Sequence, residues 1–167
     1  AAFFWPAASK QLQSSSSEKL SYNDAIAAAN RTVSEDTSNT DVRPECRSII
    51  KTHDKKTAKA VMMIHGVSAC PQQFADLGNT FFNAGYNVYI PRVPSHGLTD
   101  NKRHGEITIP AMAQFMNSST SIISGLGDET GVVGLSGGAN MATWITQHNS
   151  QTISRALLLS PFYQPSA

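Results

Sequence analysis

The stretch Gly131-Val132-Val133-Gly134-Leu135-Ser136-Gly137-Gly138 places a serine between a short apolar segment and the start of an amphipathic one. Val132 and Val133 are β-branched and predict a strand over residues 131–135. Apolar side chains at helical spacing follow and predict a helix over residues 136–148. The serine is therefore expected at a sharp turn between a strand and a helix.

The same stretch matches the pattern G-x-S-x-G, with Gly134 and Gly138 two residues on either side of Ser136. Glycines suit these positions because a side chain there would collide with the neighbouring strand or helix, while the serine takes a strained backbone conformation. We interpret Ser136 as a nucleophile. The alternative is a glycine-rich turn whose serine caps the helix.

Short apolar strands alternate with amphipathic segments from Cys46 onward, which is typical of βαβ units. This alternation predicts an α/β fold, a three-layer αβα sandwich with a mainly parallel sheet. Helices are expected after Pro71, ending at Gly85, and from about 109 to 123, where Gly125 and Gly127 stop the helix. The predicted strands cover residues 47–51, 60–65, 87–91, 131–135 and 155–160.

The N-terminal part has a different composition. Residues 9–19 are rich in serine, glutamine and lysine without periodicity, which predicts a linker outside the core. A short helix is expected after Ser21, a good N-cap, packed on the outside and fading into the polar segment 35–41. We therefore divide the chain into an N-terminal tail, residues 1–44, and one α/β domain portion, residues 45–167.

A second glycine-containing loop follows the apolar strand that ends in His65-Gly66-Val67. Acyl transfer needs two backbone N–H groups aimed at the developing oxyanion. We expect these groups on Val67 and Gly137, with Gly66 allowing the chain to approach the substrate closely. The alternative is that His65 and Gly66 only turn the chain.

These motifs together resemble the α/β-hydrolase superfamily over about residues 45–163. Pro91-Arg92-Val93-Pro94-Ser95-His96-Gly97 is similar to the Pro-x-x-x-Gly-His-Gly loop of carboxylesterases and monoacylglycerol-lipase-like members, with Ser95 in place of a glycine. The segment from Cys70 to Phe74 is similar to a group of bacterial hydrolases. The resemblance implies a serine hydrolase that acts on carboxylic esters through an acyl-enzyme on Ser136. It covers only the N-terminal portion of that fold, up to the strand after the nucleophile helix.

The acid and the base of a catalytic triad remain unassigned. In the superfamily the acid and then the histidine follow the nucleophile, yet no Asp or Glu follows Glu129 and the only later histidine is His148. His148 ends the predicted helix, where it suits the helix dipole. Three explanations stay open: a longer parent sequence, a second chain that supplies the two groups, or a non-catalytic binding or scaffold module.

Composition excludes several other classes. The formal charge is +1, and no cluster of lysine and arginine lies beside aromatic residues, so a nucleic-acid partner is not expected. No C-x-x-C or H-x-x-x-H spacing and no phosphate-binding glycine loop occurs, so neither a metal nor a cofactor is expected. The expected partner is a small ester or a lipid.

The two cysteines, Cys46 and Cys70, lie at the edges of adjacent predicted strands and are expected to form a disulfide. The alternative is two separate thiols, as in a reducing cytoplasm. The apolar residues 1–9 before the serine run suggest a trimmed export signal or an anchor. We therefore favour an exported protein, periplasmic, secreted or attached to a membrane through its N-terminus, over a cytoplasmic one. The oligomeric state stays open.

Overall fold

A computed structural model describes residues 10–162, so the predicted export segment, residues 1–9, lies outside the described residues. Five strands form one sheet in the order β1-β3-β2-β4-β5, in which β1 runs antiparallel to β3 and the other neighbours are parallel. The strands are β1 (Ile49–Lys51), β2 (Thr57–Ile64), β3 (Asn87–Ile90), β4 (Gly127–Leu135) and β5 (Ile153–Leu159).

Helices cover both faces of this sheet and confirm the predicted three-layer αβα sandwich. Three of them, α1, α3 and α4, pack with one face around Met62, Ile64 and Val132. The other face packs on α2 around Val61, Met63 and Val133. The helices are α1 (Tyr22–Ser38), α2 (Ala75–Asn83), α3 (Ile109–Leu126) and α4 (Gly137–His148), with 3-10 turns at Lys10–Leu12, Pro44–Cys46, Pro71–Phe74 and Asn101–Glu106.

The end predicted for α3 is wrong by about one turn. The helix runs to Leu126 and Gly127 is already the first residue of β4. Gly125 therefore does not stop the helix but lets it approach α1, because a Cβ at this position would lie 2.6 Å from the Cβ of Ala25 and 2.6 Å from the carbonyl oxygen of Ser21. Gly125 is required for close packing of α3 on α1, and the sequence pattern predicts a helix end there instead.

Residues 10–20, here called the N-terminal strap, run along α3, so the predicted linker is wrong over its described part. Backbone N–H groups of alternate strap residues donate to polar side chains on one face of α3. The bonds join Ser16 to Asn117 at 2.9 Å, Glu18 to Ser121 at 2.8 Å and Leu20 to Ser124 at 3.0 Å. These partners lie 101 to 104 residues further along the chain, where no local pattern points to them.

Ser21 is the N-cap of α1, as predicted, and its side chain accepts the N–H of Asp24. The helix does not fade into a polar segment, because it continues to Ser38 and buries Asp36. The Asp36 carboxylate accepts hydrogen bonds from the backbone N–H and the hydroxyl of Ser48. It also pairs with the guanidinium of Arg92, at 2.7 Å and 2.8 Å. This buried ion pair fixes the loop after β3 to α1.

No helix within residues 10–162 is long and apolar enough to cross a membrane.

Candidate active site

Ser136 lies at the carboxyl end of β4, between that strand and α4. Its backbone has φ 54° and ψ −120°, a left-handed conformation that a residue with a side chain rarely adopts. Its N–H donates to the carbonyl of Leu159 at the end of β5, at 2.9 Å. The neighbouring strand therefore holds the strained serine in place.

The flanking glycines allow α4 to start directly against the sheet. A Cβ at Gly138 would lie 2.1 Å from the carbonyl oxygen of Ile64, and a Cβ at Gly134 would lie 2.4 Å from the carbonyl oxygen of Gly138. Both distances are far below any real contact of a Cβ atom. The two glycines of the G-x-S-x-G pattern are thus required by packing.

The loop after β2 lies against this turn. A Cβ at Gly66 would lie 3.4 Å from the Cβ of Ser136, and a Cβ at Gly137 would lie 3.7 Å from the backbone nitrogen of Val67. No residue of the described part of the chain accepts a hydrogen bond from the N–H of Val67 or of Gly137. Two backbone donors with no acceptor in the described part of the chain therefore lie close together beside the serine.

Gln73 holds the same loop from the other side and was missed by the sequence analysis. Its side-chain carbonyl oxygen accepts the N–H of Gly66 at 2.9 Å. That N–H is therefore occupied, whereas the N–H of Val67 has no acceptor among residues 10–162. The carbonyl of Gly66 accepts the N–H of Ala69 in a tight turn. A contact between a side chain and a backbone seven residues apart leaves no signature in the sequence.

His65 is buried and supports this loop. Its Nε2 accepts the N–H of Val93 at 3.0 Å, so its Nδ1 carries the proton and donates to the carbonyl of Gly66 at 3.0 Å. Burial lowers the pKa of His65 to about 4. The ring is therefore neutral at neutral pH and joins the loops that follow β2 and β3.

The remaining histidines have other partners. His96 contacts the carbonyl of Pro94 through Nδ1, and burial lowers its pKa. His104 packs on the His96 ring at 4.5 Å. The two others lie away from this edge: His53 stacks on Phe82, and His148 packs on Trp144. Within residues 10–162, no side chain hydrogen-bonds to the hydroxyl of Ser136, and no group of acidic, histidine and cysteine residues could hold a metal ion.

The structure joins Cys46 and Cys70 by a disulfide. Cys70 lies three residues after Val67, so the cross-link ties the loop beside Ser136 to the segment before β1. Gly97 packs against the bridge, where a Cβ would lie 2.6 Å from the Cβ of Cys46.

An apolar pocket of about 350 Å³ opens beside the serine turn. Val67, Gly137 and Met112 are among the residues that line it. Phe74 and Phe115 do not line this pocket and are buried in the cores on opposite faces of the sheet. They are core residues.

Comparison with family models and with curated proteins found no match. Comparison with solved structures found similar folds. One is a structure of LipS and LipT, metagenome-derived lipolytic enzymes, with a TM-score of 0.60 and 22% identity over 69% of this chain and 45% of that one. A probable hydrolytic enzyme from Pseudomonas aeruginosa has a TM-score of 0.51 and 18% identity, over 69% of this chain and 36% of the other. A hydrolase from Oleispira antarctica has a TM-score of 0.51 and 15% identity, over 87% and 46%.

The chain spans less than half the length of each of these three structures. The described part of the chain carries a mainly parallel sheet with helices on both faces, and Ser136 lies at the carboxyl end of an interior strand. The chain therefore has the fold of the N-terminal part of an α/β-hydrolase.

Proposed function

We propose that this chain carries the nucleophile and the oxyanion site of a serine hydrolase that acts on carboxylic esters. One observation carries the proposal: Ser136 is held in a strained backbone conformation beside the N–H groups of Val67 and Gly137, for which the described residues offer no acceptor. The structures with similar folds, which include lipolytic enzymes, support the hydrolase class. The apolar pocket at the same edge supports a small ester or lipid substrate.

In this mechanism the Ser136 hydroxyl attacks the ester carbonyl carbon while its proton passes to a base. The carbonyl oxygen becomes an oxyanion, and the N–H groups of Val67 and Gly137 stabilise it, at about 3 kcal/mol for each donor in comparable sites. The alcohol takes up a proton and leaves, and the acyl group stays on Ser136 as an ester. Water then attacks the acyl-enzyme, which releases the carboxylic acid and restores the hydroxyl.

The acid and the base of the triad are proposed to come from outside this chain portion. All five histidines lie within the described residues, and none contacts the hydroxyl of Ser136. We favour later strands of a longer sequence as their source, and a second chain is the other source. On this basis the 167-residue chain alone is expected to hydrolyse esters poorly.

Labelling with a fluorophosphonate probe, read by peptide mass spectrometry, tests the nucleophile. Once the missing strands or a partner chain supply the base, we expect the label on Ser136 and its loss in Ser136→Ala, with an unchanged thermal unfolding curve. The matched control is Ser68→Ala, which removes an exposed hydroxyl from a left-handed position in the neighbouring loop. Equal labelling of Ser136→Ala and wild type would contradict the assignment.

Ester hydrolysis and solution mass of the same chain test the source of the base. Robust hydrolysis by a monomer would refute an external base and require one of the five histidines in that role. Hydrolysis that appears only in a dimer would assign the base to a second chain. If neither labelling nor hydrolysis occurs even when the missing strands are supplied, the non-catalytic binding module is correct.

A further inference from the structure

The N-terminal strap reaches the edge of the sheet where Ser136 lies. Leu12 closes the 3-10 turn at the beginning of the strap, and its carbonyl accepts the indole N–H of Trp144 on α4 at 2.8 Å. The bonds from the later strap residues to α3 fix the rest of the segment. Leu12 is thus held by two helices at a defined position.

This anchoring makes Leu12 one wall of the apolar pocket. Val67 and Gly137 form another part of its lining, so the pocket is continuous with the proposed oxyanion site. No charged side chain lines it, and its volume of about 350 Å³ falls at the small end of the range for ligand sites. The remaining lining residues are Met112, Met116, Asn140, Met141, Trp144 and Phe162.

The chemistry of this lining fits an unbranched hydrocarbon chain. Three methionines contribute flexible thioether side chains that adapt to an apolar ligand. Asn140 supplies the single amide, and its side chain is already engaged with the backbone N–H of Phe162 at 3.1 Å. A polar ligand would therefore find few free partners, whereas an acyl chain needs none.

We propose that the N-terminal strap is part of the substrate site and that Leu12 limits the length of the acyl chain that binds next to Ser136. The substrates are then esters with an unbranched, apolar acyl group of medium length. This inference rests on the proposed function for its link to catalysis. The pocket itself binds an acyl chain whether or not Ser136 reacts.

Binding of saturated carboxylates from butanoate to dodecanoate to the 167-residue chain, measured by calorimetry, tests the proposal. Each CH₂ group that enters the pocket should increase the affinity about fourfold, and the increase should stop when the chain reaches Leu12. In Leu12→Ala the increase should continue for two or three further carbons. In Leu12→Phe it should stop earlier.

The matched control is Leu20→Ala, which makes the same change on the same strap away from this pocket. It should keep the wild-type length limit even if it lowers stability. An identical limit in wild type, Leu12→Ala and Leu12→Phe would overturn the proposal, and so would a shift of the same size in Leu20→Ala. If Leu12→Ala fails to fold, Leu12→Phe decides alone.

Ser136→Ala separates this inference from the proposed function. We expect it to keep the length dependence of binding while it loses fluorophosphonate labelling. A clear length limit set by Leu12, together with a Ser136 that stays unlabelled even when the missing strands are supplied, would refute the hydrolase and keep the role of Leu12 in the pocket. Labelling of Ser136 without any length limit would keep the hydrolase and refute the role of Leu12.

Discussion

Gly138 has the least space of the glycines around the serine turn. Because a Cβ there would lie 2.1 Å from the carbonyl oxygen of Ile64, Gly138→Ala must push α4 away from β2. We expect a loss of free energy of unfolding of about 3 kcal/mol, the upper end for overpacking, since backbone cannot move aside as a side chain can. Chemical denaturation measures it. Gly105→Ala is the matched control, because a Cβ at Gly105 meets nothing within 4 Å. An unchanged free energy of unfolding in Gly138→Ala would contradict the close packing of α4 on β2 at this turn.

His65 should make stability depend on pH. Its pKa is lowered from 6.5 to about 4 in the folded protein, so the unfolded chain binds the proton more tightly. Stability is therefore complete above pH 6.5 and falls as the pH drops towards 4, by about 3 kcal/mol from this group.

Unfolding curves of wild type and His65→Gln between pH 4 and pH 7 measure this contribution. The variant should lose much of the slope, and the remainder includes His96, whose lowered pKa acts in the same direction. An equally steep slope in His65→Gln would show that His65 is not held neutral.

The residues around Ser136 differ in how far their sequence predicted them. Gly134 and Gly138 stand at fixed positions in a local pattern, and local sterics alone require them. Gln73 could not be found in this way, because its contact with Gly66 depends on how a 3-10 turn orients one side chain. The oxyanion-binding roles predicted for Val67 and Gly137 stay predictions, and measurements of the reactivity of Ser136 test them.

Among the elements, α1 differs most from its sequence-based description, and its buried ion pair offers a test. Asp36→Ala would leave the guanidinium of Arg92 partly buried without its carboxylate. We expect a loss of about 3–5 kcal/mol in free energy of unfolding, as for other broken buried pairs. Urea denaturation measures it. Asp41→Ala breaks an ion pair with Arg103 at the surface and should change stability little. Equal effects of the two substitutions would refute an anchoring role for α1.

Element types were predictable where hydrophobic periodicity was strong. The five strands and three of the helices were placed from that periodicity, because burial of one or two faces imposes it on the sequence. The N-terminal strap has no such periodicity, since polar side chains of α3 hold its backbone and not its own apolar face. A serine-rich segment without periodicity therefore predicts a linker, although this segment is packed on α3.

At the scale of the whole molecule, the Cys46–Cys70 disulfide makes a stability prediction. It closes a loop between residues 24 apart in sequence, and its reduction should cost about 3 kcal/mol in the chain-entropy model. The free energy of unfolding measured with and without reductant gives this cost. A thiol titration of the denatured, unreduced protein should find no free thiol. Two titrated thiols would contradict the bridge. The disulfide supports our proposal that the protein is exported to an oxidising compartment.

Within residues 10–162, β5 is an edge strand of the sheet. Its Ser154, Arg155, Ala156 and Leu157 are exposed although two of them are apolar. Leu157 is 49% exposed. An exposed apolar edge strand favours pairing with further strands. This supports the proposal that further strands, which carry the acid and the base, pair with β5.

The N-terminal strap also constrains the order in which the molecule can fold during synthesis. Its residues are made before the rest of the described chain, but the α3 side chains that hold them are made more than 100 residues later, and Trp144 later still. At the usual rate of synthesis of about 5–20 residues per second, several seconds pass before the α3 face to which the strap binds has been made. Closing such a long loop is slow, so the wall that Leu12 contributes to the pocket should be among the last parts to form. A nascent chain would then assemble the serine turn, with its local contacts, before the site acquires any preference for acyl length.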